Sequence, residues 1–171
     1  MAIVYLGIGS NLGDRAANID KALTLLKERE EIQVLIVSTL IETDPEGACL
    51  PDRQGDPQGK FLNGVIKIDT DLMPLDLLSQ LKMIERRLGR SKDEPNAPRS
   101  MDLDILFYDD VVIMKGKSLT IPHPRLAERM FVLKPLFEIA PDLMHPRLNK
   151  SIKELIEALQ AHEGSQRFQS A

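Results

Sequence analysis

Cysteine occurs once in these 171 residues, at Cys49, and tryptophan not at all. A lone cysteine leaves no intrachain disulfide framework and no zinc site built from thiolates. Long apolar runs are missing too: no window approaches the roughly 18–20 uninterrupted apolar residues of a membrane span. The opening stretch MAIVYLGIGSNLGD lacks the charged leader and extended hydrophobic segment of a secretory signal. Nor is there an excess of positive charge. Lys and Arg number 22 against 26 Asp and Glu, for a net charge of −4, which argues against general binding to nucleic acid or an anionic membrane. The expectation is a soluble, cytoplasmic protein, monomeric, with small molecules rather than nucleic acid or membrane as partners.

What is present is ordinary globular composition, 43% hydrophobic and 28% charged, enough for one domain over 1–162 with 163–171 as a frayed tail. AIVYLGIG is short and β-branched, hence a strand, and Ile19, Ala22, Leu23, Leu25 and Leu26 recur at helical spacing within 15–29. IQVLIVSTLIET (32–43) reads as one long second strand and FLNGVIKIDT as a third. Residues 73–89 form a helix with Pro74 in its first turn and Gly89 at its end. A fourth strand surrounds Asp102. The order β-α-β-β-α-β predicts an α+β, ferredoxin-like core with a mainly antiparallel sheet and helices packed on it. After it come a short hairpin from VVIM and SLTIP, short proline-broken helices, and a last amphipathic helix over 150–161.

GIGSNLG follows a strand and precedes a helix, but its spacing Gly7-x-Gly9-x-x-x-Gly13 is one residue too long for a dinucleotide fingerprint. A tight turn, with Asn11 bonding neighbouring backbone, is the expected use. PRSMDLDILFYDD (98–110) poses the sharper problem, because Asp102 and Asp104 interrupt a buried strand. Residues i and i+2 share a face, with Cβ atoms roughly 6–7 Å apart, so two anions repel there unless a cation joins them. The pair serves either as a magnesium site completed by substrate phosphates or as a solvated face paired with Arg99 or Lys115.

The basic residues Arg86, Arg87, Arg90, Lys92 and Arg99 gather just upstream, and arginine presents a planar fork to phosphate oxygens. An acid pair beside a basic loop is the composition of a magnesium–polyphosphate site. Two long irregular segments, 44–60 and 90–98, have the length of binding loops or lids. Phe61 and Asn63 offer a flat apolar face and an amide suited to a planar heterocycle, and His123 with Arg125 and Arg129 could form a phosphate-facing rim.

GIGSNLGD, FLNGV, IERRLGR, APRSMDLDIL and IPHPRLAERMFVLKPLFEIAP occur in this order over about residues 3–160. That ordered set resembles the 6-hydroxymethyl-7,8-dihydropterin pyrophosphokinases of folate biosynthesis. The resemblance implies transfer of diphosphate from ATP, as co-substrate, to the pterin hydroxymethyl oxygen, with release of AMP. It also implies two Mg2+ ions on Asp102 and Asp104, and phosphate contacts from Arg90 and Arg99. Phe61 and Phe131 would sandwich the pterin, Asn63 and the chain near Thr43 would bond its edge, and Glu85, Ile105, Thr120, His123 and Arg129 would surround the nucleotide. A second loop arginine of the family is matched by Lys92. Pro95 and Asn96 stand where many members have a basic residue and tryptophan, and Ser118 where some have arginine. The rival readings are a ligand-binding ferredoxin-like regulatory module without catalysis and another metal-dependent phosphotransferase.

Overall fold

Alternation in the first strand sets the architecture. The computed structural model describes residues 1–45, 59–89, 99–115 and 118–169, with 163–169 as backbone only. In it β1 runs Ala2–Ser10. Val4, Leu6 and Ile8 enter one apolar cluster and Tyr5 another, because successive strand side chains point to opposite faces. A sheet that is apolar on both faces needs cover on both. On the first face lie α1 (Arg15–Lys27) and α2 (Pro74–Arg87), which bury Ile19, Ala22, Leu26, Leu77, Leu81 and Ile84. On the second lie α3 (Met130–Ile139) and α4 (Ile152–Gln169), contributing Val132, Leu133, Leu136, Ile152 and Leu155. Each such fully buried aliphatic side chain contributes about 1.5–3 kcal/mol relative to exposure.

The remaining strands of the sheet are β2 (Ile32–Val37), β3 (Ile41–Thr43), β4 (Phe61–Thr70) and β5 (Asp102–Tyr108). Their order is β2-β4-β1-β5, with β3 also on β4, and every pairing is antiparallel. This is the ferredoxin-like βαββαβ arrangement. β6 (Ile113–Met114) and β7 (Thr120–Ile121) make the expected hairpin, and β8 (Met144–His145) pairs with β9 (Lys150–Ser151) in a second one. No described helix is long and apolar enough to cross a membrane.

Three boundaries differ from the expectation. The stretch 32–43 is not one strand but β2 and β3 around a corner. There the Ser38 N–H donates to Val65 O at 2.9 Å, and the Ser38 hydroxyl accepts from the Val65 N–H at 2.9 Å. Gly64 permits the corner, since a Cβ on it would lie 2.7 Å from Leu40 and 3.2 Å from the Ser38 hydroxyl. Pro135 sits inside α3 rather than breaking it. It lacks the N–H for the preceding turn, but Val132, Leu133 and Leu136 anchor the helix on the sheet. Finally α4 is longer than the helix expected over 150–161, running from Ile152 to Gln169.

The start of α4 is held by a reciprocal cap. Glu154 accepts from the Ser151 N–H at 2.7 Å, while the Ser151 hydroxyl accepts from the Glu154 N–H at 3.2 Å. Ser151→Ala is expected to lower stability by about 1 kcal/mol in urea titrations. A midpoint equal to wild type would mean that the cap contributes nothing.

Candidate active site

Beyond the reach of α3 and α4 the second face of the sheet stays open. On β5, Leu103 and Ile105 point into the first cluster, so Asp102 and Asp104 alternate to the other face. The β1–β5 register shifts between Tyr5, opposite Phe107, and Leu6, opposite Ile105. This bulge makes Leu106 the extra residue, and both Leu106 and Phe107 then enter the second cluster. One face of β5 therefore carries two carboxylates at one end and apolar packing at the other.

The carboxylates open into a cleft with about 910 Å³ of empty space, the solvent at its open mouth included. Its floor is Gly7 and Gly9 of β1, and its walls carry Thr43, Asp44, Phe61 and Asn63 on one side and Arg99, Arg125, Arg129, Phe131 and Val132 on the other. The glycines are thus not mainly a turn: only Gly13 sits there, at φ 64°. A Cβ on Gly9 would lie 2.7 Å from Asn63 Oδ1, so bare backbone is what gives that amide its place. Asn63 Nδ2 in turn donates to Thr43 Oγ1 at 2.8 Å, which fixes which end of the amide points where.

Asn11 bonds backbone far along the chain. Its N–H donates to Arg99 O at 3.1 Å and its Oδ1 accepts from the Arg99 N–H at 2.7 Å. Arg99, so anchored, places Nη1 2.9 Å from Asp102 Oδ2. Asp104 has Lys82 Nζ at 3.9 Å. That ammonium also donates to Glu85 Oε1 at 2.8 Å and to Leu103 O at 3.3 Å. Glu85 is 1% exposed and accepts from the Leu103 N–H at 2.8 Å, gripping the backbone between the two aspartates.

Burial pushes the Asp104 carboxyl up to about 6, and the neighbouring Asp102 charge and Glu85 add to it, against Lys82 and Arg129. Desolvation and like charge both disfavour the anion, so this pair gains from a cation. Two carboxylates on one strand face are a donor set that suits magnesium, which completes its shell with water and phosphate oxygens. His123 is pushed down to about 4 by burial first, then by Arg129. It is neutral near pH 7, its Nδ1 accepting from the Arg125 N–H at 3.2 Å. Arg129 lies over the Phe131 ring, 5.5 Å from its centre.

Of the residues singled out in the sequence, the cleft gathers Thr43, Phe61, Asn63, Arg99, Asp102, Asp104, Arg129 and Phe131. It does not gather Glu85, which is buried behind β5, nor the Ile105 side chain, which packs into the opposite core. Thr120 and His123 lie outside its lining, Thr120 on β7. Arg90 and Lys92 fall outside the described residues. Asn11, Lys82, and Gly7 and Gly9 as a floor were missed, since no short-range spacing marks them. Arg125, expected on a phosphate-facing rim with His123 and Arg129, lines the cleft itself.

The model of the family described as 7,8-dihydro-6-hydroxymethylpterin-pyrophosphokinase (HPPK) matches residues 5–141. The chain belongs to this family. The 2-amino-4-hydroxy-6-hydroxymethyldihydropteridine pyrophosphokinase of Aquifex aeolicus is 44% identical over 154 residues, covering 90% of each chain. The Pseudomonas aeruginosa protein of the same name is 38% identical over 168 residues, 98% of each. The folic acid synthesis protein fol1 of Schizosaccharomyces pombe is 43% identical over 157 residues, which are 92% of this chain but only 20% of that longer protein. The HPPK-DHPS structure from Plasmodium falciparum superposes with a TM-score of 0.74 at 18% identity, covering 96% of this chain and 46% of that one, a likeness of fold.

In this HPPK-family chain the Glu85–Leu103 bond is expected to be needed for stability as well as for the site. Glu85→Ala leaves a buried backbone donor without that acceptor, and a loss of about 2 kcal/mol is expected in chemical unfolding. Unchanged stability would show that another group takes over.

Proposed function

We propose that this chain transfers diphosphate from ATP to the hydroxymethyl group of 6-hydroxymethyl-7,8-dihydropterin, a step of folate biosynthesis. The hydroxymethyl oxygen attacks the β-phosphorus, the bond from that phosphorus to the oxygen it shares with the α-phosphorus breaks, AMP leaves, and the hydroxyl proton is lost. One observation carries this reading: the rings of Phe61 and Phe131, the Asn63 amide and a carboxylate pair flanked by arginines line a single cleft. A regulatory module or a simple phosphohydrolase has no need of both halves.

In this reading the pterin lies between Phe61 and Phe131, with the Asn63 amide and the chain at Thr43 bonding its edge. Arg99, Arg129 and Arg125 hold phosphate oxygens, and Arg90 and Lys92 act with them. Glu85, Ile105, Thr120 and His123 shape the nucleotide side, Glu85 by fixing the β5 backbone. Asp102 and Asp104 would hold two magnesium ions. Magnesium held there would supply positive charge to offset that of the polyphosphate. Arg99, paired with Asp102 at 2.9 Å, stands beside the carboxylates where it would meet phosphate oxygens. Catalysis comes from positioning and electrostatics, with no covalent protein intermediate. The domain is taken as 1–162, acting as a cytoplasmic monomer.

Purified protein with ATP, magnesium and the pterin is expected to form AMP one-for-one with pterin consumed. ADP as the product, or AMP formed equally without pterin, would overturn the proposal. Asp102→Asn and Asp104→Asn are each expected to lower kcat about 100-fold or more; wild-type rates in both would remove the carboxylate pair from the mechanism. Gly9→Ala pushes on Asn63 and is expected to raise the KM for pterin about tenfold with the KM for ATP unchanged. A shift in the ATP value alone would contradict the placement of the pterin.

A further inference from the structure

The pterin side of the cleft depends on a strand of three residues. β3 pairs with β4 only from Ile41 to Thr43, opposite Asn63 to Phe61, and so short a ladder frays unless something else holds it. Both chains leave the sheet just beyond it, at Asp44 and at Lys60. Arg15, the first residue of α1, reaches both. Its Nη1 donates to Lys60 O at 2.8 Å and its Nη2 to Glu42 Oε2 at 2.8 Å. Lys60 Nζ adds a contact of 3.5 Å to Glu42. The Arg15 hydrogen bond, more than its charge alone, holds the Glu42 carboxyl below the usual glutamate value.

The geometry places this clasp on the back of the site. Glu42 and Thr43 are adjacent on a strand and point to opposite faces. Thr43 lines the cleft, while Glu42 turns toward the face covered by α1, where Leu62 opposite it packs against the first core. The planar guanidinium spans two acceptors, one on β3 and one just ahead of β4, which one ammonium cannot do equally well. We propose that Arg15 is a positioning residue for the pterin, locking the β3–β4 ladder from behind the sheet and so setting Thr43, Phe61 and Asn63. This rests on the pterin reading above.

Steady-state kinetics with pterin and ATP varied separately tests it, on wild type, Arg15→Ala, Arg15→Lys, Glu42→Gln and the remote cap variant Ser151→Ala. Arg15→Ala is expected to raise the KM for pterin about five- to tenfold, with kcat and the KM for ATP within about twofold. Arg15→Lys recovers part of the loss, Glu42→Gln gives a smaller rise, and Ser151→Ala moves neither KM. A pterin KM unchanged in Arg15→Ala, or both KM values rising together as stability falls, overturns the inference. If Arg15→Ala does not fold, unchanged pterin KM values in Arg15→Lys and Glu42→Gln overturn it equally. Wild-type protein that forms no AMP overturns the functional reading and the inference with it. Where wild type turns over normally, the KM values of the variants alone decide whether Arg15 positions the pterin.

Discussion

The grip on the β5 backbone is the constraint on which the site depends. Asp102 and Asp104 repel each other, and a flexible chain would turn one of them away. β1 holds one edge of the strand through its antiparallel ladder, and the buried Glu85 carboxylate holds the N–H of Leu103 between them. With Leu103 and Ile105 locked in the core on the far face, neither carboxylate can leave its side. Burial first, and the Asp102 charge after it, raise the proton affinity of Asp104. The interactions now facing the pair, Arg99 at 2.9 Å and Lys82 at 3.9 Å, offset part of that repulsion.

The two faces of the sheet divide the labour. One, covered by α1 and α2, is mainly apolar and supplies rigidity. The other is covered by α3 and α4 along part of its length, and where that cover ends the ligands find room. Room is made by subtraction at Gly7 and Gly9 and by the bend at Ser38, which turns β3 against the end of β4 where Phe61 and Asn63 lie. The helix α3 ties into the same corner, since Glu138 accepts from the Thr39 N–H at 3.0 Å and from its hydroxyl at 3.0 Å. Phe131 at one end of α3 and the corner at the other are thereby mechanically joined.

Much of this was legible beforehand, for identifiable reasons. Alternating β-branched runs and a proline-led, glycine-ended helix are local signals, and they placed the βαββαβ order correctly. The i, i+2 spacing of Asp102 and Asp104 put them on one face because strand geometry allows nothing else. The misreadings were equally physical. The run 32–43 has uniform β propensity, and its corner comes from a hydroxyl bonding a strand 27 residues away. Pro135 signals a break locally, but packing on the sheet outweighs it.

The sequence by itself determined the chemistry available: which residues carry charge, which are flat, and which lie on one face of their own element. Only the tertiary structure decided that Asn11 would fasten Arg99 across 88 positions, that Glu85 would serve the strand rather than the cleft, and that Arg15 would clasp Glu42 of β3 and the backbone at Lys60 from behind. Those are hydrogen bonds between groups far apart along the chain. Their partners are set by helix packing and strand register, and no window of neighbouring residues contains that information.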